Sequence, residues 1–559
     1  MMSLKKTIWI LFISIFVFSF LFTHNFNSRY TRSINGDAKG YYAYLPAIFI
    51  YQDANYDFID KMEMSYYPKD RSQYKAFKNI QNNGKSVNKC FPGLALFYLP
   101  FFGYAALFAW LAGIPVDGYS LPFQFAIGFA HVTYMLLGFV LLYKFLSRLN
   151  YSKTIIWFSF FTFSLGTTIW YYTTYDHTVS HIFNFFLCCL YVFNIQKWIA
   201  TKENKWFGYI LLILCLFVIS RPTNALMVLF IPFIFKICNE DFIPFIKSNL
   251  NFNSLIKFAP LCLILISIPP LLWKWQSGLW FVYSYNNEGF NFLSPNLFNF
   301  IFSFKKGWLL WSPLLLFVLI FSLKSLFKES ISLGLTLLLP LSFIIYVLSS
   351  WWCWTYGTGM GQRAMIDFYP FLIISFVYFL NKIHFHKLYY YFVAGVFIIL
   401  NLFQSFQIQN SIHRGGETTS IDYFNHFFEW KTIVPIVKID PKWKLIRITK
   451  SNKPLYTDRM NHFSETISSD SLNGVNHVVI DIVIGSKHKD NNINLVLTNG
   501  EGSIYESYFF ADLLYEEPRK ISVVFNLKNT SKTVFKSYVW NHDTDSKSTI
   551  KSLKIKFYH

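Results

Sequence analysis

The chain has 559 residues, of which 53% are hydrophobic and 14% charged, whereas a soluble domain carries roughly a quarter charged residues. That balance, with 65 Phe and 36 Tyr, excludes an ordinary soluble globule and points to repeated crossing of a bilayer. The formal charge of +20 does not mark a nucleic-acid binder, because the basic residues sit mostly in short runs between apolar segments.

Lys5 and Lys6 precede an apolar run at 7–22, and no small-residue cleavage site follows. The run therefore reads as an uncleaved first helix with a cytoplasmic N-terminus. A polar loop occupies 24–90. Within it, 42–51 is apolar and aromatic but too short to span, and is expected to lie along the membrane surface. Apolar segments continue at 91–112, 121–143, 154–170, 179–195, 206–220, 224–235, 255–273, 308–323, 331–348, 366–380 and 388–406. Because a crossing needs about 20 residues, 224–235 is marginal.

Charge placement sets the expected topology. With 91–112 dipping in from the outer side, Lys144, Arg148, Lys153, Lys197, Lys202, Lys205, Lys324, Lys328, Lys382 and Lys387 fall on cytoplasmic connections. If that segment crossed, the bias would reverse. The positive-inside rule therefore favours about eleven spans plus one surface or re-entrant helix. The expected fold is a polytopic α-helical protein, multi-pass in the inner (cytoplasmic) membrane of the cell, with its C-terminal domain extracytoplasmic. A membrane domain covers 1–406, with its first outer loop at 24–90, followed by a linker at 407–450 and a β-sandwich at 451–559. Strands are expected at 477–486, 493–498, 503–510, 520–526, 534–540 and 549–558. Turn signals separate them at Asn499-Gly500, Lys489-Asp490-Asn491 and Asn541-His542-Asp543.

Cys188, Cys189, Cys215 and Cys262 fall inside apolar runs and Cys238 ends another, as small core residues do. Cys90 and Cys353 flank loops and leave a disulfide open. The sequence carries no P-loop, no Gly-x-Gly-x-x-Gly and no metal motif of Cys-x-x-Cys type.

Four clusters come out on the outer side under this topology. The first, Asn35-Gly36-Asp37-Ala38-Lys39-Gly40-Tyr41-Tyr42, sets a carboxylate and a lysine among tyrosines. Its plainer reading is a polar turn with Asp37 as the N-terminal cap of a surface helix. The second, Lys89-Cys90-Phe91-Pro92-Gly93, opens the dipping helix. The third, Tyr175-Asp176-His177-Thr178-Val179-Ser180-His181, has two histidines at i, i+4, a weak metal signal. The fourth runs from Trp351 through Trp354 to Arg363, and its tryptophans read more simply as an interfacial belt. Arg221 and Arg363 lie near membrane depth, where a cation is costly without a partner. An aspartate among aromatics suits deprotonation of a hydroxyl acceptor, and aromatic faces suit a sugar ring. Arginines at the lipid boundary suit a phosphate. Together they describe glycosyl transfer from a lipid-phosphate donor, whose leaving phosphate needs cationic stabilisation.

The ordered set resembles the membrane-embedded glycosyltransferases of the GT-C superfamily, in the branch of the protein O-mannosyltransferases and the lipid A aminoarabinose transferase. The residues that carry the resemblance span roughly 6–406. They are Asp37 with Tyr41-Tyr42, Phe91-Pro92-Gly93, the Tyr/His/Ser loop, Ser220-Arg221-Pro222-Thr223-Asn224, Gly307-Trp308 with Ser312-Pro313, and Gly357-x-x-x-Gly361-x-Arg363. The resemblance implies a polyprenyl-phosphate sugar donor, a glycan, lipid or protein acceptor, membrane lipid as surroundings, and inversion by single displacement. Carried over, Asp37 becomes the catalytic candidate, as general base or metal-orienting group, and Arg363, Arg221, Lys39 and Lys89 become donor-phosphate contacts. Tyr41, Tyr42, Asp176, His177 and Trp354 become sugar or acceptor contacts. The mannosyltransferases place a second acid beside the first, whereas Ala38 follows Asp37 here, so a divalent metal stays open and no cofactor is certain. The end of the tail is similar to jelly-roll carbohydrate-binding modules. The rival readings are a lipid-linked glycan polymerase or ligase, a transporter or flippase, and a non-catalytic glycan-binding membrane protein.

Overall fold

The computed structural model describes the chain except residues 1–3, 25, 27–29, 31, 67–76, 81–83, 286–287, 384–386, 411, 414, 417, 431–444, 451–454, 458–466, 473–474, 476, 487–492, 500–504, 510–518, 528–532, 542–547 and 559. It divides into two compact units, Met1–Phe428 and Glu429–His559.

The first unit is helical, as a chain must be where no water is present to satisfy backbone groups. Among the described residues, eight helices are long and apolar enough to cross a membrane: Lys6–Thr23, Gly93–Leu111, Leu121–Arg148, His181–Thr201, Ile256–Ser277, Ile331–Ser349, Arg363–Lys382 and Tyr389–Gln409. The chain is therefore a multi-pass membrane protein. Gly93–Leu111 belongs to this set, although the charge bias keeps it out of the expected spans. The other four expected segments are shorter or broken. Lys153–Gly166 stops where Thr167 turns extended, and Asn204–Ser220 ends at the extended Arg221. Pro222–Phe230 is a 3₁₀ helix continued by Ile231–Ile237. Ser312-Pro313 separates Trp308–Trp311 from Leu314–Glu329.

Burial ranks the helices. Arg363–Lys382 is 89% buried within the unit and forms its centre, whereas Ile256–Ser277 is 11% buried and lies at its rim. Gly93 allows one close approach that matters. A Cβ there would stand 2.6 Å from Ser220 Cα, so the start of Gly93–Leu111 presses on the end of Asn204–Ser220.

The described residues of 32–66, 77–80 and 84–90 form a lobe that holds both ends of Gly93–Leu111. The Cys90 carbonyl, before the helix, accepts the Tyr44 hydroxyl at 2.6 Å. Beyond its far end, the Gly118 carbonyl accepts Tyr42 at 2.5 Å, the Asp117 carbonyl accepts Tyr51 at 2.9 Å, and Tyr66 donates to the Asp117 carboxylate. Inside the lobe Lys39 and Glu63 form a buried ion pair at 2.9 Å, and Asn88 Nδ2 donates to the Gly40 carbonyl at 2.8 Å. No disulfide forms, and Cys90 and Cys353 are both free.

The second unit holds two antiparallel sheets. In one, Leu445–Lys450, Ser548–Tyr558, His477–Ser486 and Arg519–Asn526 lie side by side, with Leu455–Thr457 also paired to Ser548–Tyr558. In the other the order is Ile467–Leu472, Thr533–Asn541, Ile493–Asn499 and Tyr505–Phe509. Alternation points Val478, Ile480, Ile482 and Ile484 of one sheet, and Leu495, Leu497, Phe535 and Val539 of the other, into one apolar core. The Phe535 and Phe557 rings meet across it at 5.3 Å. All six expected strands form, within a residue or two at each end. Leu445–Lys450, Leu455–Thr457 and Ile467–Leu472 were not expected, because they are short or rich in Ser and basic residues. Leu445–Lys450 and Ile467–Leu472 lie at sheet edges, where one flank needs no partner strand. The turn signals at 489–491 and 542–543, and Gly500, lie outside the described residues.

Because one polar lobe binds both ends of Gly93–Leu111, Lys61→Cys in the lobe and Val116→Cys beyond that helix are expected to react with a membrane-impermeant maleimide in intact cells. Lys153→Cys is expected to react only after permeabilisation. Labelling of positions 61 and 116 from opposite sides would show that the helix crosses.

Candidate functional site

Asp37 is the first residue of the helix Asp37–Pro46. The cap position belongs to Gly36, at φ 51°, and no side chain caps the helix, so Asp37 is not the cap that its sequence suggested. Its half-exposed carboxylate instead accepts a hydrogen bond from Arg363 Nη2 at 2.5 Å. Tyr41 lies one turn on, on the same helix face, within electrostatic reach of Asp37, Cys90 and Arg221. Burial pushes the Tyr41 hydroxyl well above its ordinary range, so it stays a neutral donor. The opposite face of this helix is structural. Lys39 is spent on Glu63, and Tyr42 packs on Tyr98, Phe102 and Tyr119 with its hydroxyl on Gly118.

Arg363 opens the 3₁₀ turn Arg363–Phe368 that leads into the central helix. The segment before it follows a left-handed path, with Gly359 at φ 94° and Gly361 at φ 53°. Gly359 also needs its missing Cβ. One there would lie 2.7 Å from the Tyr172 hydroxyl and 3.1 Å from Asp176 Oδ2. Around the guanidinium stand Asp37, Tyr172, Asp176 and Tyr41. Its Nε–H is buried and has no partner among the described residues, and leaving a buried donor unused is costly.

Beneath this layer runs a buried network. The Asp367 carboxylate accepts from His181 Nδ1 at 2.8 Å and from Asn224 Nδ2 at 2.8 Å. With Nδ1 protonated toward the carboxylate, His181 Nε2 accepts from Arg221 Nη1 at 3.1 Å. Arg221 Nε donates to Thr223 Oγ1 at 3.2 Å, and the guanidinium lies 5.0 Å over the Tyr356 ring. A fully buried carboxylate thus sets the tautomer of a histidine that orients an arginine.

Lys306 is also fully buried. Its Nζ donates to the Thr358 carbonyl at 3.0 Å and to the Tyr172 hydroxyl at 3.3 Å. Burial, with Arg363 adding repulsion and Asp176 opposing, holds its pKa well below the ordinary lysine value.

The structure thus gathers Asp37, Tyr41, Asp176, Arg221 and Arg363 of the sequence candidates. Asp176 is fixed by Thr178, whose backbone N–H and hydroxyl it accepts at 3.1 and 2.5 Å. The remaining candidates point elsewhere. Lys89 pairs with Glu288 over the Tyr285 ring. His177 is buried against His24 and His131, ending on the Thr173 carbonyl at 3.3 Å, and burial and those two histidines push its pKa well below the ordinary value. Trp354 contributes its carbonyl, which accepts from Gln362 at 2.8 Å. His177 and His181, spaced for a metal, thus turn to different partners. Among the described residues no group of three or more His, Cys, Asp or Glu side chains is placed to hold a metal ion. Asp367, Lys306 and Tyr172 are not among the sequence candidates, and Asn224 entered only as the end of the Ser220-Arg221-Pro222-Thr223-Asn224 stretch. Asp367 carried a signal, since a carboxylate inside an apolar run must be paired.

No family model matches the chain, and no curated protein matches it. Among solved structures it is similar to the arabinosyltransferase EmbB from Mycobacterium smegmatis, at 9% identity and a TM-score of 0.35. The match covers 97% of this chain and 64% of that one. A likeness that distant assigns neither fold nor activity.

Removing the Asp367 carboxylate leaves Asn224, His181 and, through it, Arg221 without their acceptor. Asp367→Ala is therefore expected to cost about 3–5 kcal/mol, read as a lower midpoint of thermal unfolding in detergent.

Lys306 gives a pH signature. Its native pKa is lowered, so between that value and the ordinary lysine range the unfolded chain binds the extra proton and stability rises with pH. Lys306→Met removes this contribution. The unfolding midpoint of the variant relative to the parent is expected to increase as pH falls through that window, and parallel curves would refute it.

Proposed function

We propose that the chain is a membrane glycosyltransferase that moves a sugar from a polyprenyl-phosphate donor to a hydroxyl acceptor at the outer face of the membrane, in the manner of the GT-C enzymes its sequence resembles. The observation that carries this reading is the contact between Asp37 and Arg363, an acid on the outer loop set directly against a cation on the central helix. Transfer with inversion needs a base on the acceptor side of the anomeric carbon and positive charge on the leaving phosphate. These two residues supply both.

The pair must open for the reaction. With one partner half-exposed, it holds with about 1 kcal/mol, which a phosphate offering several charged oxygens exceeds. Donor binding draws Arg363 onto the phosphate, where Nη2 and the unpartnered Nε both donate. The Asp37 carboxylate is thereby released to accept the acceptor proton. The acceptor oxygen bonds to the anomeric carbon as the carbon–phosphate oxygen bond breaks, and the electron pair leaves on the phosphate. Arg221, steadied by His181 and Asp367, adds a second cation. Tyr41 stands where it can hydrogen-bond a sugar hydroxyl, and Asp176 is the further acid near Arg363 in place of the one absent after Asp37.

Asp37→Asn keeps the size and hydrogen-bonding reach of the side chain but not its basicity. It is expected to fold normally and to lower transfer by about 100-fold or more, measured as release of polyprenyl phosphate from the lipid-linked donor that accumulates in cells lacking the protein. Arg363→Gln is expected to raise the donor KM as well as lower kcat. Full activity in Asp37→Asn would defeat the assignment.

A further inference from the structure

The connection from the helix Ile256–Ser277 to Trp308–Trp311 is long and rich in Trp, Phe and Tyr. Between Gly278 and Phe304 it carries a single charged residue, Glu288, and that one is paired with Lys89. Its apolar side chains are not hidden. Phe281 is 83% exposed, Leu293 100% and Phe298 74%, and Trp280, Tyr283 and the neighbouring Trp352 are exposed as well. In the short helix Leu297–Phe302, the Phe298 and Phe302 rings lie 5.5 Å apart on the open face while Phe300 is buried. A surface in contact with water rarely presents so much apolar area in one stretch.

The connection is held from its inner side. Ser284 Oγ donates to the Lys89 carbonyl at 3.0 Å, and the Ser284 carbonyl accepts from Asn79 Nδ2. Further along, the Asn291 and Asn296 N–H groups donate to the Ser350 and Ser349 carbonyls at 2.6 and 3.0 Å. The Gly289 carbonyl accepts from the Trp352 N–H at 2.9 Å. The stretch is therefore tied level with the end of Ile331–Ser349, as its start is with the end of Ile256–Ser277. Tyr285 turns inward, with its ring 5.7 Å from that of Trp351 and within electrostatic reach of Tyr41, Arg221 and Asp37. Polar contacts are made inward, and the apolar side chains are left outward.

We propose that residues 279–302 are an interfacial anchor, which seats its exposed side chains among the phospholipids of the leaflet on the side of the Asp37 site. Continuity with a lipid-facing surface points to lipid as the occupant. Ile256–Ser277 is only 11% buried, so its flanks face the bilayer, and the anchor leaves its end without a break. The exit is marked by Lys274, whose Nζ donates to the Gly278 carbonyl at 2.7 Å and lies 5.5 Å from the Trp280 ring. Lysine and tryptophan are the types that gather where a chain passes from hydrocarbon to water. The depth is shallow. Asn291, Ser294 and Asn299 are exposed among the apolar residues, and an irregular backbone does not enter the hydrocarbon core. The side chains therefore reach about 5–10 Å into the boundary of headgroups and acyl chains. With its one charged residue already paired, the anchor is held by apolar burial and not by lipid charge. Because Tyr285 borders the Asp37 site, the anchor fixes that site at headgroup level, whatever reaction runs there.

The test places p-benzoylphenylalanine, a photoreactive residue, in the full chain at the position of Phe281, Leu293 or Phe298. The protein is irradiated in phosphatidylcholine nanodiscs and adducts are read by mass spectrometry. Leu263, exposed on the rim helix, is the position that must label lipid, and Lys61, exposed in the polar lobe, the one that must not. Phospholipid adducts are expected at all three anchor positions, at least about tenfold above position 61. The yields are expected to stay the same when phosphatidylglycerol replaces part of the lipid. Lipid adducts at 263 but at none of the three anchor positions would overturn the proposal, as would adducts that appear only with the anionic lipid. Irradiation of intact cells supplies a second readout. Lipid adducts are expected there too, and capture of one protein at the anchor positions in their place would assign the face to a protein partner and defeat the anchor.

Discussion

One ion pair ties the loop after the first helix to the middle of the helical unit. Asp37 and Arg363 stand 326 positions apart in the chain, yet their side chains meet at 2.5 Å. For that contact to exist, the loop helix must begin at residue 37, the central helix must start at 363, and the glycine-rich segment must arrive along a left-handed path. Each of these is met by a local feature: the positive φ of Gly36, the 3₁₀ turn after Gln362, and the glycines at 359 and 361.

Charge beside a bilayer is costly unless it is paired or neutralised, and the groups around Arg363 meet that cost in different ways. Nearest to solvent, the half-exposed Asp37 carboxylate holds the Arg363 guanidinium. One layer further in, the Asp367 carboxylate joins Asn224 and His181, and His181 joins Arg221, in a chain of buried hydrogen bonds that leaves Asn224 Oδ1 without a partner among the described residues. Lys306 accommodates burial differently, by lowering its proton affinity and resting on a carbonyl and a phenol. The buried layer holds Arg221 in place, and the proposed exchange with a ligand falls on the upper pair.

Legibility followed the range of the forces involved. Apolar runs are local, and each expected segment appears as helix, because composition alone decides that a backbone in lipid must bond to itself. Alternation is equally local, so the strands at 477–486 and 534–540 could be read directly, while the serine-rich edge strand at 467–472 could not. Side-chain roles behaved differently. Lys39 and Tyr42 sit within five residues of Asp37, and only the winding of their helix sends them to Glu63 and Gly118 rather than toward Arg363. His177 and His181 share a spacing suited to one metal, but the chain turns between them, since His181 opens a helix and His177 precedes it.

The sequence by itself determined that this chain lives in a membrane, where its helices and C-terminal β-strands fall, and that acids and arginines sit at segment ends. Those properties depend on composition and on periods of two to four residues. The tertiary structure decided which of those charges meet. It chose Arg363 over Lys39 or Lys89 as the partner of Asp37, and it supplied Asp367 and Lys306 as buried members of the same neighbourhood. Such choices depend on how helices distant in the chain pack against one another, and no short-range pattern encodes the distance between two side chains brought together from opposite ends of a domain.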